Sequence, residues 1–289
     1  MPNHVTNILR VSGDPAQVKS MFEAIQSDEI GLGSIDFNKV LPMPPSLDMD
    51  YGSRAERGMK LYRDFTAEST ALAMANVVKP DADHENRVAA LVKKYEALTK
   101  DDPQLLKLGE QCCNNIKNYG HPSWYQWSVA NWGTKWNSYG YDKLATPREF
   151  DGEHIEFQTA WSRAEPVIST LAKQYPELTF EYLWADEDFG HNTGKKEFQN
   201  GEEIFSDIPR GGSKEALELA AEVHGMDLSE MGYQYNEKSG TYEYHSQWKW
   251  NCSLINPFKL IGGVLENGKP GFTGSLYRTA ECTAAHVGF

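Results

Sequence analysis

Eighteen residues from Trp124 to Tyr141, WYQWSVANWGTKWNSYGY, hold four of the eight tryptophans and three of the fourteen tyrosines in the chain. Trp124, Trp127, Asn131, Trp132, Lys135 and Trp136 recur at three- and four-residue steps, which on a helix predicts one aromatic ridge along a single face. Asn131 and Lys135 set an amide and a cation among the rings. Further on, Trp161-Ser162-Arg163 adds an indole and a guanidinium at an expected helix start. Rings for stacking, together with cations and helix-terminal N–H groups for phosphate, are what a pocket for a nucleotide-like anion uses. The candidate ligand-binding residues are therefore Trp124, Trp127, Asn131, Trp132, Lys135, Trp136, Trp161 and Arg163. The competing reading is that the indoles seal one part of the fold against another, each burying a large apolar area. Gly133 inside the expected helix costs about 1 kcal/mol relative to alanine, which makes sense where something approaches the backbone closely.

Other chemistry is thinner. Asp186, Glu187 and Asp188 with His191 form a tight acid–imidazole group at the end of an expected strand, able to hold a hard cation or move protons, or simply to make a solvated turn. Gly190-His191-Asn192-Thr193-Gly194-Lys195-Lys196 is one residue short of a phosphate-binding loop and lacks its Ser/Thr, so it reads as a hairpin turn. The motifs of dinucleotide enzymes, α/β hydrolases and zincins are missing, and no histidine pairs with another histidine or a cysteine at metal spacing. Cys112 and Cys113 are adjacent, and a helix points adjacent side chains about 100° apart. No catalytic residue, metal or cofactor is expected, and the balance leans away from an enzyme.

Net charge is −13, and residues 151–230 carry 18 acidic against 6 basic side chains. Such a surface repels phosphate backbones and excludes general nucleic-acid binding. It serves as a solvated face, or it attracts a basic host protein, in the extreme as a DNA mimic. The N-terminus has no secretory pattern and no apolar run reaches membrane length, so a soluble cytoplasmic protein is expected. No motif sets the oligomeric state.

The elements that must position these residues follow from periodicity. His4 to Val11 alternates as a strand with Val5, Asn7, Leu9 and Val11 on one side. Asp14-Pro15 starts a helix whose stripe is Val18, Met21, Phe22 and Ile25. A second strand is expected over Ser34–Leu41. Helical patterns then cover Arg54–Val78, Glu85–Thr99, Pro103–Asn118 and Pro122–Asn137. Glu153–Ser162 is a strand, followed by a helix with a Ser162/Glu165 capping box that Pro176 ends, then a strand over Leu178–Ala185 and edge strands between Gly190 and Phe205. Ser213–His224 is a helix stopped by Gly225. Tyr233–Trp250 and Phe258–Tyr277 are expected hairpins.

The order is β-α-β, a helical block, then β-α-β, which predicts an α+β fold: a ferredoxin-like antiparallel sheet with a large helical insertion and a C-terminal helix/β-hairpin extension. The expected division is a ferredoxin-like domain over 1–205, its insertion at about 46–150 between strands 2 and 3, and an extension over 206–289.

The start MPNHVTNILRVSG, the heptad Asn131-Trp132-Gly133-Thr134-Lys135-Trp136-Asn137, the corner Phe157-Gln158-Thr159-Ala160-Trp161-Ser162 and Tyr175-Pro176-Glu177-Leu178 resemble phage- and plasmid-borne proteins with a YubB-type ferredoxin-like domain. The resemblance spans roughly residues 1–205. Where the family runs from Trp-Ser into prolines, this chain has Arg163-Ala164 before Pro166. It implies a ferredoxin-like fold and an accessory protein of a mobile element, and it supplies no catalytic residues. The expected function is thus binding, as counter-defence, by capture of a nucleotide-derived signal molecule or of a host protein. Two alternatives stand beside it: an acidic or DNA-mimic protein on a basic host factor, and a metal-dependent nucleotide hydrolase using Asp186, Asp188 and His191.

Overall fold

Alternation along β1 (His4–Ser12) sends Val5, Leu9 and Val11 into one core with the polar Asn7 fully buried among them. The computed structural model describes residues 3–141 and 150–245. α1 (Pro15–Ile25) starts as expected: the Asp14 carboxylate accepts from the Ala16 and Gln17 N–H groups, and Val18, Met21, Phe22 and Ile25 are buried. β1 is an interior strand of a five-stranded sheet and antiparallel to both neighbours, β2 (His154–Ala160) and β3 (Thr179–Asp186). α7 (Glu165–Gln174) joins β2 to β3 across the β1 strand between them, the split crossover of a ferredoxin-like sheet. β4 (Gly194–Gln199) and β5 (Glu202–Asp207) extend the other side through a tight turn at Asn200-Gly201, both at positive φ. The fold is α+β and ferredoxin-like.

The strand expected at Ser34–Leu41 does not form. Asp36 instead caps a short helix, α2 (Phe37–Val40), by accepting from the Asn38 N–H, and Phe37 and Val40 turn inward one helical turn apart. The free side of β2, where a ferredoxin-like sheet would place that strand, is met by one bridge between Tyr139 and Gln158. The helical block follows as α3 (Ser53–Val78), α4 (His84–Leu98), α5 (Leu105–Tyr119) and α6 (Trp124–Asn131). α3 and α5 touch backbone to backbone: a Cβ on Gly109 would lie 2.0 Å from the Gly58 carbonyl oxygen, so neither position accepts a side chain there.

α1 and α7 cover one face of the sheet through Phe22, Ile168, Leu171, Phe157, Phe180, Tyr182 and Trp184. On the opposite face, α8 (Lys214–His224) packs Ala220 and Val223 against Ile8, Leu183 and Ala185. Ser213 caps α8 and Gly225, at φ 62°, ends it. The first expected C-terminal hairpin is present as β6 (Tyr233–Asn236) and β7 (Thr241–Tyr244); its far end and the expected hairpin Phe258–Tyr277 lie outside the described residues. No helix among the described residues is long and apolar enough to cross a membrane.

Candidate functional site

The expected helix over Pro122–Asn137 is cut short, and with it the continuous ridge. α6 ends at Asn131, because Gly133 takes φ 80° and the chain turns away. A Cβ on Gly133 would stand 2.9 Å from Pro166 Cδ and 3.0 Å from the Arg163 carbonyl oxygen, so the close approach inferred from this glycine is made by the protein's own β2–α7 corner. The following loop is pinned at successive residues. Trp132 Nε1 donates to the Leu41 carbonyl at 2.9 Å, and Ser128 Oγ donates to the Lys135 carbonyl at 2.8 Å. Thr134 Oγ1 both donates to the Ala160 carbonyl and accepts its N–H, standing in for a strand at the free side of β2. Asn137 accepts from the Phe37 N–H and donates to Asp36.

The eight candidate residues therefore separate. Trp127 and Trp132 are buried in the main core, edge to face with each other at 5.5 Å, and Trp132 also meets Phe37. For these two, sealing the insertion against the sheet is the role the structure shows. Asn131 spends its amide on the Trp127 carbonyl. Arg163 lies over the Trp184 ring at 4.5 Å and is ion-paired with Glu165, which also binds Lys196 at 2.5 Å. Burial pushes the Glu165 carboxyl up, but the hydrogen bonds from Lys196 and Arg163 outweigh it and hold the group below the usual carboxylate range. Ser162 does not cap α7; Ala164 occupies that position.

Lys135, Trp136 and Trp161 do converge. The Lys135 ammonium sits 4.5 Å from the Trp136 ring centre, 4.8 Å from Trp161 and 5.9 Å from Tyr125. All three rings are more than a third exposed. Trp124 joins through Tyr125 at 5.8 Å, and Tyr139 joins through Trp136 at 6.1 Å and accepts or donates a 2.8 Å hydrogen bond with His4. Burial, with Glu187 nearby, pushes the Tyr139 phenol up to about 12. Lys135 has no carboxylate partner among the described residues. Tyr125, Thr134 and Tyr139 were missed by the sequence reading; Tyr125 and Tyr139 sat in the same aromatic run but off the helical step used to select it.

Trp161 is held in an unusual way. Its φ is 72°, a left-handed conformation that costs a non-glycine residue about 1–2 kcal/mol. A buried polar network fixes it. Tyr182 Oη donates to Asn7 Oδ1 at 2.6 Å and accepts from the Ala164 N–H at 2.9 Å, Asn7 Nδ2 donates to Thr159 Oγ1, and Thr159 Oγ1 donates to the Ser162 carbonyl. The Trp161 N–H donates to the Asn3 carbonyl.

The acid–imidazole group is a turn brace. Asp186 is buried and accepts from Asn3 Nδ2, the Asp188 N–H and Asn192 Nδ2. Asp188 and His191 are exposed and 3.7 Å apart. Among the described residues no three His, Cys, Asp or Glu side chains are grouped to hold a metal ion. Four clefts of about 390, 450, 610 and 650 Å³ are lined by residues other than the Lys135 cluster.

Residues 132–227 match the family model described as the ferredoxin-like domain in Api92-like protein, a stretch that runs from the Trp132 loop through α8. It begins later and ends later than the span of the sequence resemblance. The crystal structure of a protein api92 from Yersinia pseudotuberculosis aligns over 73% of this chain and 99% of its own, at 10% identity and a TM-score of 0.35. No curated protein matches the chain.

Proposed function

We propose that the chain is a binding protein that captures a nucleotide-derived anion on the surface formed by Tyr125, Lys135, Trp136 and Trp161. The observation that carries this reading is the Lys135 ammonium, set among three half-exposed rings with no carboxylate partner among the described residues. A base would stack on an indole, worth about 1–3 kcal/mol, while the ammonium moves to meet phosphate. The strained backbone of Trp161 supports the same reading, because a costly conformation that orients an exposed ring is what a binding surface retains. In the mobile-element setting implied by the sequence resemblance, such capture would blunt a host defence signal.

The test is titration with adenosine and guanosine monophosphates and cyclic dinucleotides, read by tryptophan fluorescence and thermal melting. Quenching with a rise in Tm is expected, and both should vanish in the Trp136→Ala/Trp161→Gly double variant while its far-ultraviolet circular dichroism is kept. If none of these probes shifts either signal, the capture reading fails. A second reading, a host protein docked on the same rings, draws on their open position. Loss of a host-protein pull-down in the same double variant would favour it.

A further inference from the structure

We propose that the outer edge of β5 accepts an extended segment of a basic protein, adding one more strand to the sheet. β5 is the last strand in the order β2-β1-β3-β4-β5, and all six of its residues are exposed. Among the described residues its backbone bonds only to β4, so the peptide groups facing away from β4 are an open template for strand addition. Within five positions it and the next residue expose Ile204, Phe205 and Ile208, at 56%, 45% and 52%. Three large apolar side chains on one open edge are more than scattered surface residues need.

Charge decides the occupant. Glu202 and Asp207 flank Ile204 and Phe205 and have no ion pair among the described residues, whereas Glu203 is held by Lys196 at 2.7 Å. A second copy pairing antiparallel about the strand centre would set Glu202 against Asp207, like charge opposite like, which is destabilising. Acidic residues and the irregularity between Glu197 and Phe198 are devices that stop edges pairing indiscriminately, but a purely protective edge has no use for Ile204, Phe205 and Ile208. A strand alternating Lys or Arg with aliphatic residues satisfies both features. It offers ladder hydrogen bonds, sets its cations on the face shared by Glu202, Phe205 and Asp207 with the lysine stems over the Phe205 ring, and turns its aliphatic residues to the other face with Ile208, within a segment whose surroundings are strongly acidic.

The probe is a ten-residue synthetic peptide alternating lysine with valine and isoleucine, set against a glutamate version and a copy with prolines at alternate positions. Binding to the full chain is followed by anisotropy and by hydrogen exchange over residues 202–207. The lysine peptide should slow exchange there. The glutamate version should not bind, and the proline copy should bind at least about tenfold more weakly because proline removes ladder donors. Glu202→Lys/Asp207→Lys, and separately Phe205→Ser, should each weaken the lysine peptide by about tenfold. Equal binding of the proline copy would reduce the effect to charge and overturn the proposal. So would protection outside this strand, unchanged affinity in the variants, no binding up to about 1 mM, or an edge already protected in the free protein by its own chain or by a concentration-dependent dimer.

Discussion

Tyr182→Phe is the most searching single change, because it removes one oxygen and no packing. The Tyr182 side chain is fully buried between Asn7 and the start of α7, and its hydroxyl satisfies two partners at once, Asn7 Oδ1 and the Ala164 N–H. Burial pushes the phenol far up, so it stays neutral and able to donate at any working pH. After substitution both partners remain buried. Asn7 keeps its bonds to the Val5 carbonyl and Thr159 through Nδ2, but Oδ1 loses its donor, and the Ala164 N–H loses its acceptor. Each orphaned group costs about 1–3 kcal/mol, so a loss of about 2–6 kcal/mol is expected. For a unit of this size that is a fall in Tm of roughly 4–24 °C. The assay is urea unfolding with thermal melting, comparing the midpoint at constant slope. A loss below about 1 kcal/mol would refute the network as the support of the corner. The functional corollary is sharper. Since the same network fixes Thr159 and Ser162 on either side of Trp161, the variant should also blur the Trp161 environment in near-ultraviolet circular dichroism under conditions where the fold is intact.

Thr134→Val keeps the shape but strips both hydrogen bonds from Ala160, and a loss of about 2 kcal/mol in urea unfolding is expected; a neutral result would mean that water replaces the hydroxyl. Gly133→Ala adds a methyl at φ 80° against Pro166 and should cost at least about 1–2 kcal/mol from the left-handed conformation alone, measured the same way. Glu165 is held below the usual carboxylate range, so its contribution is present above about pH 4.3 and is lost as pH falls through the lower folded value; Glu165→Gln should flatten that acid limb of the stability curve. Burial pulls the Lys196 ammonium down, but Glu165 and Glu203 outweigh it and raise the group, so its contribution is present below about pH 10.4 and is lost as pH rises through the folded value; Lys196→Met should remove that alkaline limb.

What was legible in the sequence was what local periodicity decides. The alternation in β1, the Asp14 cap, the buried stripe of α1 and the Gly225 stop all depend on near neighbours, and each stands where expected. Two readings failed, one to a local cap that competes with the alternation and one to a distant partner. Ile35, Phe37 and Leu41 alternate like a strand, but Asp36 offers its carboxylate to the Asn38 N–H, and one helical turn buries Phe37 and Val40 instead. The aromatic steps through Trp136 fit a helix, but the approach of the Arg163 carbonyl and Pro166 needs the left-handed turn that only Gly133 takes freely. Both departures fall at one place, the free side of β2, and they are linked. With no strand from Ser34–Leu41 to pair with β2, its edge is satisfied by Tyr139 and by the side chain of Thr134, which requires the loop after α6 to leave the helix. Leaving the helix is also what divides the indoles, sending Trp132 to the Leu41 carbonyl in the core and turning Trp136 outward beside Lys135 and Trp161. The exposed cation–aromatic surface is thus a consequence of how the sheet edge is closed. Any conformation that kept helix through 131–137 would have to lose the surface and the edge bond together.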